Sequence, residues 1–278
     1  MGNTIPEPMK EVEQIMVRIK QLAADHPLVF GLAVTIIFIL MLIVSAVLGN
    51  LWGGTDTYGQ PGAIAGRLVS IVILLWLLYR LGWLRPAGFA SLGRWQTWLA
   101  SLLLLIYTVL GSAYAMTGNF SFSFQALTGL VTLFILTAAL MEEVTFRGLI
   151  LHGFVRVWGS TTRGLIKCVL LSSLFFCSIH ILDFLGGRSL VDVLLQSVEA
   201  FFLGILLASL VLSGKSIYPA IAFHGLLNLA AYLILTSSGV SESPAAWLLL
   251  SLLMLPAAAY GIYSLRGLPE RAPVPLAA

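Results

Sequence analysis

The chain has 278 residues, of which 59% are hydrophobic and 10% are charged, and its mean hydropathy is +0.99. A soluble domain carries roughly 25% charged residues, so this composition excludes a water-facing globular surface and predicts an all-α, polytopic membrane protein. The net charge is +3. Because Lys and Arg occur singly between apolar runs, a nucleic-acid-binding stripe is also excluded.

Residues 1–27 are predicted to form an amphipathic helix at the cytoplasmic membrane interface. Their apolar residues recur at helical spacing, at Val12, Ile15, Met16, Ile19, Leu22 and Ala23. Acidic residues outnumber basic ones in this segment, so anionic lipid is not its expected ligand.

Eight membrane spans follow in the sequence. A spanning helix needs about 20 mostly apolar residues, and runs of this kind occur at 28–49, 63–84, 97–117, 124–149, 164–185, 190–212, 217–236 and 244–264. Short connectors that contain Gly and Pro separate them, and no internal repeat is present. The chain is therefore divided into the interfacial helix, one eight-helix intramembrane domain at 28–265 and a cytoplasmic tail at 266–278.

The distribution of Lys and Arg predicts the orientation, since positively charged loops stay cytoplasmic. One set of alternate loops and termini holds Lys10, Arg18, Lys20, Arg80, Arg85, Arg94, Arg156, Arg163, Lys167, Lys215, Arg266 and Arg271. The other set holds Arg67 and Arg188. Both termini are therefore predicted to be cytoplasmic, in what we expect to be a bacterial inner membrane.

Span four contains the sequence "MEEVTFR", which places Glu142, Glu143 and Arg147 in an apolar run. Glu143 and Arg147 are four residues apart and share a helix face, whereas Glu142 is rotated by about 100°. An ion pair between helices is one interpretation. One arginine cannot neutralise two carboxylates, so the second acid needs another partner, and intramembrane charges usually mark function.

Spans five and seven supply further polar side chains. Phe176 and His180 lie one helical turn apart in "FCSIH", and His224 and Asn228 do so in "HGLLN". Each pair alone could be packing between helices. Glu199 in span six is a further intramembrane acid. It is expected either to be buried against the residues of the site or to line the substrate path.

Together these residues indicate hydrolysis. A carboxylate near an imidazole can take a proton from water, and a second imidazole with an amide can stabilise an oxyanion. Alternatively, Glu142, His180 and His224 could ligate zinc, although no compact metal motif such as HExxH is present. Cys168 and Cys177 have no zinc-ribbon spacing and are interpreted as packing residues.

The three motifs, EExxxR, FxxxH and HxxxN, occur in that order over about residues 124–236. In this the chain resembles the CAAX-protease and bacteriocin-processing family of intramembrane endopeptidases, also called the CPBP or Abi family. The resemblance implies an eight-helix core with a polar cavity open to the cytoplasm. The implied substrate is a membrane-embedded or lipidated peptide, for example a prenylated CAAX protein, a bacteriocin-type leader or a membrane regulator.

The resemblance also implies residue roles. Glu142 would be the general base on water, assisted by His180, and His224 with Asn228 would hold the oxyanion. Glu143 and Arg147 would form a supporting pair, with Arg147 close to the point where the chain leaves the membrane. The resemblance leaves metal dependence open.

Two other function classes remain at this stage. Intramembrane Glu and His residues can also carry protons in a transporter, and the same fold could act as a catalytically silent scaffold. The protease interpretation requires His180 and His224 to lie at the same depth in the bundle. For these two residues to meet, spans four and five are expected to project into the cytoplasm, with residues 151–164 as the turn between them.

Overall fold

The computed structural model describes residues 7–52, 58–117, 124, 127–238, 244–266 and 268. In chain order its α-helices are α1 (Glu7–Asp25), α2 (Pro27–Trp52), α3 (Pro61–Arg80), α4 (Trp95–Thr117), α5 (Gly129–Glu143), α6 (His152–Trp158), α7 (Thr162–Ser178), α8 (Leu182–Leu185), α9 (Leu190–Gly214), α10 (Tyr218–Ser238) and α11 (Pro244–Ser264). Two π-helical segments lie at Arg85–Phe89 and Val144–Leu151, and a 3₁₀ turn lies at Ile179–Ile181. These ranges contain no strand, which confirms the predicted all-α fold.

Within the described ranges, eight helical segments are long and apolar enough to cross a membrane. They are Pro27–Trp52, Pro61–Arg80, Trp95–Tyr114, Gly129–Trp158, Thr162–Leu185, Leu190–Gly214, Tyr218–Thr236 and Pro244–Ser264. The eight predicted spans are therefore confirmed, and the protein is an integral, multi-pass membrane protein. Its orientation in the membrane stays a prediction.

The fourth span is the longest, with 30 residues from Gly129 to Trp158. At 1.5 Å per residue it measures roughly 45 Å, more than the approximately 30 Å of the hydrocarbon core. This excess length fits the predicted projection. The turn within the predicted range 151–164 is shorter than expected, because α6 stays helical to Trp158 with Phe154 fully buried, and only residues 159–161 separate it from α7. Arg147 lies inside this long helix, and its predicted location where the chain leaves the membrane stays a prediction.

The spans approach one another closely at small residues. A Cβ added to Gly66 of α3 would lie 2.8 Å from the Cα of Ser45 on α2. One added to Gly204 of α9 would lie 2.9 Å from the Cβ of Ser173 on α7. Without a hydrophobic force between helices in lipid, such close contact is a principal source of helix association.

The three motif-bearing helices meet around α9 and α10. The helix α9 packs against α7, α10 and α11, while α10 also packs against α4 and α5. The segment that follows α5 contacts α7. This arrangement brings the motif residues of spans four, five and seven to one region of the bundle.

The π-helical segment Val144–Leu151 directly follows the two glutamates, and each of its eight residues is buried. A helix enclosed on all sides needs apolar residues on every face, and Arg147 is the one charged residue among these eight. The Ser172 hydroxyl of α7 donates to the Phe146 carbonyl at 3.1 Å. The neighbouring helix thus satisfies a backbone acceptor of the irregular segment.

The N-terminal helix α1 contacts α2 and α6. Met16 and Ala23, two of the predicted apolar positions, are buried against the bundle, whereas Ile15 is 51% exposed. Its location at the membrane interface stays a prediction. Residues 1–6 of this segment lie outside the described residues, as does the predicted tail apart from Arg266 and Leu268.

We expect Ser172→Ala to lower the free energy of unfolding by roughly 1–3 kcal/mol, because the buried Phe146 carbonyl loses its partner. Thermal unfolding of the purified protein in detergent measures this loss. Ser173→Ala is the matched control, since the Ser173 hydroxyl is equally buried but bonds Val169 O within its own helix. Equal melting temperatures for the two variants would contradict the assignment.

Candidate active site

The Glu143 carboxylate at the end of α5 is the most enclosed charge of the site. It is 0% exposed, and its Oε1 lies 3.0 Å from Nη1 of Arg147 and 2.8 Å from Nδ1 of His224. The contact with Arg147 is an ion pair by distance, without the alignment of a hydrogen bond. The predicted pair of Glu143 and Arg147 is confirmed, while the contact with His224 was not predicted.

The adjacent Glu142 carboxylate points in a different direction, as the helical spacing predicted. Its Oε2 lies 3.5 Å from Nε2 of His224, and its side chain is 15% exposed. His224 is therefore held between the two acids, with one ring nitrogen facing each of them. Glu143 is buried and its Oε1 contacts both Arg147 and His224, whereas Glu142 retains access to a cavity.

The Phe176 ring forms the apolar centre of the site. The Arg147 guanidinium lies over it, 4.3 Å from the ring centroid, at a distance typical of a cation–π contact. The rings of His180 and His224 each meet it edge to face, with centroids 5.8 Å away. Phe176 thus fixes the positions of both imidazoles, and the predicted stacking of Phe176 and His180 is confirmed.

A chain of polar side chains orients His180. Nη1 of Arg188 donates to Oε1 of Gln196 at 2.8 Å, and Nε2 of Gln196 lies 3.2 Å from Nδ1 of His180. Because arginine can only donate, the Gln196 amide N–H must face His180, whose Nδ1 therefore accepts. The neutral His180 ring then carries its proton on Nε2.

Asp183 belongs to this chain through Arg188, and its charge also interacts electrostatically with His180. Its Oδ2 lies 3.3 Å from Nη1 of Arg188, and no contact with the His180 ring is found within the described ranges. His180 itself lies in the 3₁₀ turn that follows α7. Gln196 could not be selected from the sequence, because an uncharged amide near a helix start is common.

A cavity of about 240 Å³ joins these groups. Its polar wall residues are Thr108, Ser112, Glu142, His180, Gln196, Glu199, His224 and Asn228. All four side chains predicted to be catalytic therefore share one cavity. Glu199 lines it directly, which favours the second of the two expectations for this residue.

The cavity extends away from the basic loops. Its wall includes Leu235 near the end of α10 and Ala246 at the start of α11, whereas the loops with Arg85 and Lys215 lie at the opposite ends of these spans. His224, six residues into α10, is roughly 9 Å from the basic end. With both termini in the cytoplasm, as predicted, the cavity would extend from His224 towards the opposite side of the membrane. The expected opening of the cavity to the cytoplasm stays a prediction.

Arg67 is a further charge near the site that sequence reasoning treated as a loop residue. It lies inside α3, donates from Nη1 to the Phe134 carbonyl at 2.7 Å and covers the Phe134 ring at 3.9 Å. It is close enough to Glu142 for electrostatic interaction. Arg67 and His224 together supply the partners that the second carboxylate was expected to need.

The zinc interpretation required Glu142, His180 and His224 to converge on one ion. Within the described part of the chain, no group of three His, Cys, Asp or Glu side chains is close enough to hold a metal. Nδ1 and Nε2 of His224 face Glu143 and Glu142, and Nδ1 of His180 faces Gln196. The arrangement does not fit a three-ligand site. Cys168 and Cys177 are free and buried, which agrees with their interpretation as packing residues.

Comparison with known proteins supports the family assignment. The family model described as "Type II CAAX prenyl endopeptidase Rce1-like" matches residues 124–230, a segment that contains the EExxxR, FxxxH and HxxxN motifs. The resemblance to the CAAX-protease-like family is thereby confirmed, and that family is a peptidase family. No curated protein and no solved structure matches the chain.

We expect Arg147→Met to destabilise the protein by roughly 3–5 kcal/mol, because it removes the guanidinium that compensates the buried Glu143 charge and leaves His224 as the remaining partner. Adding Glu143→Gln removes that charge and should recover part of the loss. Thermal unfolding in detergent, with the exposed Arg163→Met as the control, measures both effects. If the losses in free energy of unfolding of the two single variants simply add in the double variant, the two side chains are not coupled.

Proposed function

We propose that the protein is an intramembrane endopeptidase in which Glu142 activates water for hydrolysis of a peptide bond. The observation that carries this proposal is the separation of the two adjacent acids. Glu143 is buried and holds His224, while Glu142 lies on the cavity wall, 3.5 Å from the other nitrogen of the same ring. The coarser assignment to a CAAX-protease-like peptidase family rests on the match at residues 124–230.

The proposed general base is Glu142, because it alone of the paired acids reaches the cavity. It takes a proton as the water oxygen attacks the peptide carbonyl carbon. His180 carries its ring proton on Nε2, and a donor of this kind can hold the water oxygen. When the C–N bond breaks, the proton on Glu142 passes to the leaving amide nitrogen.

The proposed oxyanion donors are His224 and Asn228. The bond from Nδ1–H of His224 to Glu143 fixes the ring, so that Nε2 stays on the side of the cavity. In this role His224 is an imidazolium held between two carboxylates, and its Nε2–H is the donor to the oxyanion. Asn228 is one turn further along α10 and lines the same cavity. Donors that are fixed before the reaction stabilise developing charge without reorganisation. No step in this mechanism requires a metal.

The walls support a membrane-embedded or lipidated peptide as the substrate. Most of the cavity surface is formed by apolar side chains from α9, α10 and α11. With the termini in the cytoplasm, His224 lies in the cytoplasmic half of the membrane, and the cavity continues from it into the bilayer interior. We therefore propose that the bond is cleaved in the cytoplasmic half and that the substrate enters from within the membrane.

The test is cleavage of prenylated CAAX peptides and transmembrane peptides by the purified protein in liposomes. We expect Glu142→Gln to reduce the rate by on the order of 10²–10⁴, the range for loss of general acid–base catalysis. Glu199→Gln is the matched control, since it makes the same chemical change on the same cavity wall and should retain most of the activity. Wild-type cleavage should also persist in the presence of a chelator.

Three results would contradict the proposal. Unchanged cleavage by Glu142→Gln would remove its proposed role as the base. Loss of cleavage in the presence of the chelator would indicate a metal-dependent reaction. Proton flux across the liposome membrane without any cleavage would favour the transporter interpretation.

A further inference from the structure

A second cavity, of about 440 Å³, lies at the basic end of the bundle. Arg147 contributes to its wall, whereas Glu142 and His224 line only the first cavity. The buried pair of Glu143 and Arg147 therefore lies between the two cavities. The second cavity plays no part in the proposed reaction.

The wall of this cavity is strongly cationic. Arg85, Arg156, Lys215 and Arg147 line it, and no acidic residue does. Arg85 and Lys215 are exposed, and neither they nor Arg156 forms an ion pair with any residue that the structure describes. For the buried Arg147, Nε and Nη2 lack a hydrogen-bond partner among those same residues. Glu143 compensates Arg147 from the side of the first cavity, but the other three positive charges have no carboxylate partner among the described residues. The wall therefore favours an anionic occupant.

The loops that carry these charges are fixed to one another. The Ile217 N–H donates to the Gly88 carbonyl at 3.2 Å, and the Tyr218 hydroxyl donates to the Phe89 carbonyl at 3.0 Å. Gly88 has a φ of +99°, and a Cβ there would lie 3.0 Å from the Cα of Ser216. These contacts fix the backbone of the loops that carry Arg85 and Lys215, so the two cations are held on neighbouring loops before any ligand binds.

The position and the remaining wall residues indicate the class of the ligand. Arg85 and Lys215 follow the ends of α3 and α9, where membrane spans reach the headgroup layer. Leu151, Val155 and Val211 supply an apolar part of the wall. Basic pockets between membrane helices on the cytoplasmic side are typical binding sites for phospholipid headgroups.

We propose that this cavity binds the phosphate of an anionic phospholipid headgroup. Arg85, Arg156 and Lys215 are the proposed ligands of the phosphate, and the more deeply buried Arg147 adds a fourth positive charge to the wall. The acyl chains leave along the apolar wall between the helices. A lipid is favoured over a peptide carboxylate because several cations converge at headgroup depth. This inference does not depend on the proposed proteolysis.

The experiment measures lipid binding to the full-length protein in neutral detergent by native mass spectrometry. The probe is dioleoylphosphatidylglycerol, compared with zwitterionic dioleoylphosphatidylcholine, inorganic phosphate and a peptide with a free C-terminal carboxylate. At about 1 kcal/mol per basic residue, Arg85→Gln with Lys215→Asn should weaken phosphatidylglycerol binding roughly 30-fold. Asn suits position 215, since Lys215 has a φ of +54° and Asn tolerates that conformation.

The matched control is Arg94→Gln with Arg163→Gln, which removes two positive charges from the same end of the bundle but outside the cavity. It should leave phosphatidylglycerol binding unchanged. The single variant Arg85→Glu, at an exposed position, provides a second test if the double variant unfolds, and it should weaken binding at least as much as neutralisation of Arg85.

Three outcomes would overturn the proposal. Equal binding by the double variant and the control would show that the cavity is not the site. Binding of inorganic phosphate with the same sensitivity to the variants, but no binding of phosphatidylglycerol, would identify a site for the free anion. Displacement of phosphatidylglycerol by the peptide carboxylate would identify a site for a substrate terminus.

Discussion

The structure of the site depends on one buried carboxylate. Oε1 of Glu143 lies within 3.0 Å of both the Arg147 guanidinium and the His224 ring, so a single acid joins span four to span seven. Burial of a charge in an apolar bundle is costly unless partners compensate it. Those partners are supplied here, and the consequence is that His224 cannot rotate away from Glu142.

The apolar side chains around the contacts of Glu143 with Arg147 and His224 are as important as the charges. Phe176 contacts Arg147 through its face and meets two histidines in T-shaped geometry, so one side chain of α7 positions members of three motifs. The π-helical segment after Glu143 is enclosed on every side. Irregular helical segments of this kind are frequent at functional sites. The neighbouring Ser172 satisfies the Phe146 carbonyl of this segment, and the site therefore lies in a rigid part of the bundle.

Much of the architecture could be predicted from the sequence. The apolar runs predicted all eight spans, because hydrophobic length is the dominant signal of a membrane helix. Helical spacing correctly placed Glu143 with Arg147 and Phe176 with His180, since residues four apart share a face. The motif order indicated the family, and the cavity contains all four side chains selected as catalytic.

The remaining features depend on contacts between helices, which spacing within a helix does not reveal. Nothing in the sequence shows that His224 meets Glu143, that Gln196 meets His180 or that Arg67 approaches Glu142. The extension of span four to Trp158 was missed because Gly153 and Arg156 resemble loop residues, although Phe154 between them is fully buried. Two cavities separated by an ion pair are likewise a product of the packing.

The most direct measurement is the distance from the His224 imidazole to the Glu143 carboxylate by solid-state NMR in lipid bilayers. The chain has four histidines, so selective ¹⁵N labelling gives few signals to assign. The account predicts a strong dipolar coupling between Nδ1 of His224 and the carboxylate carbon of Glu143, which Glu143→Leu abolishes. A coupling too weak for hydrogen-bond contact in the wild-type protein would contradict it.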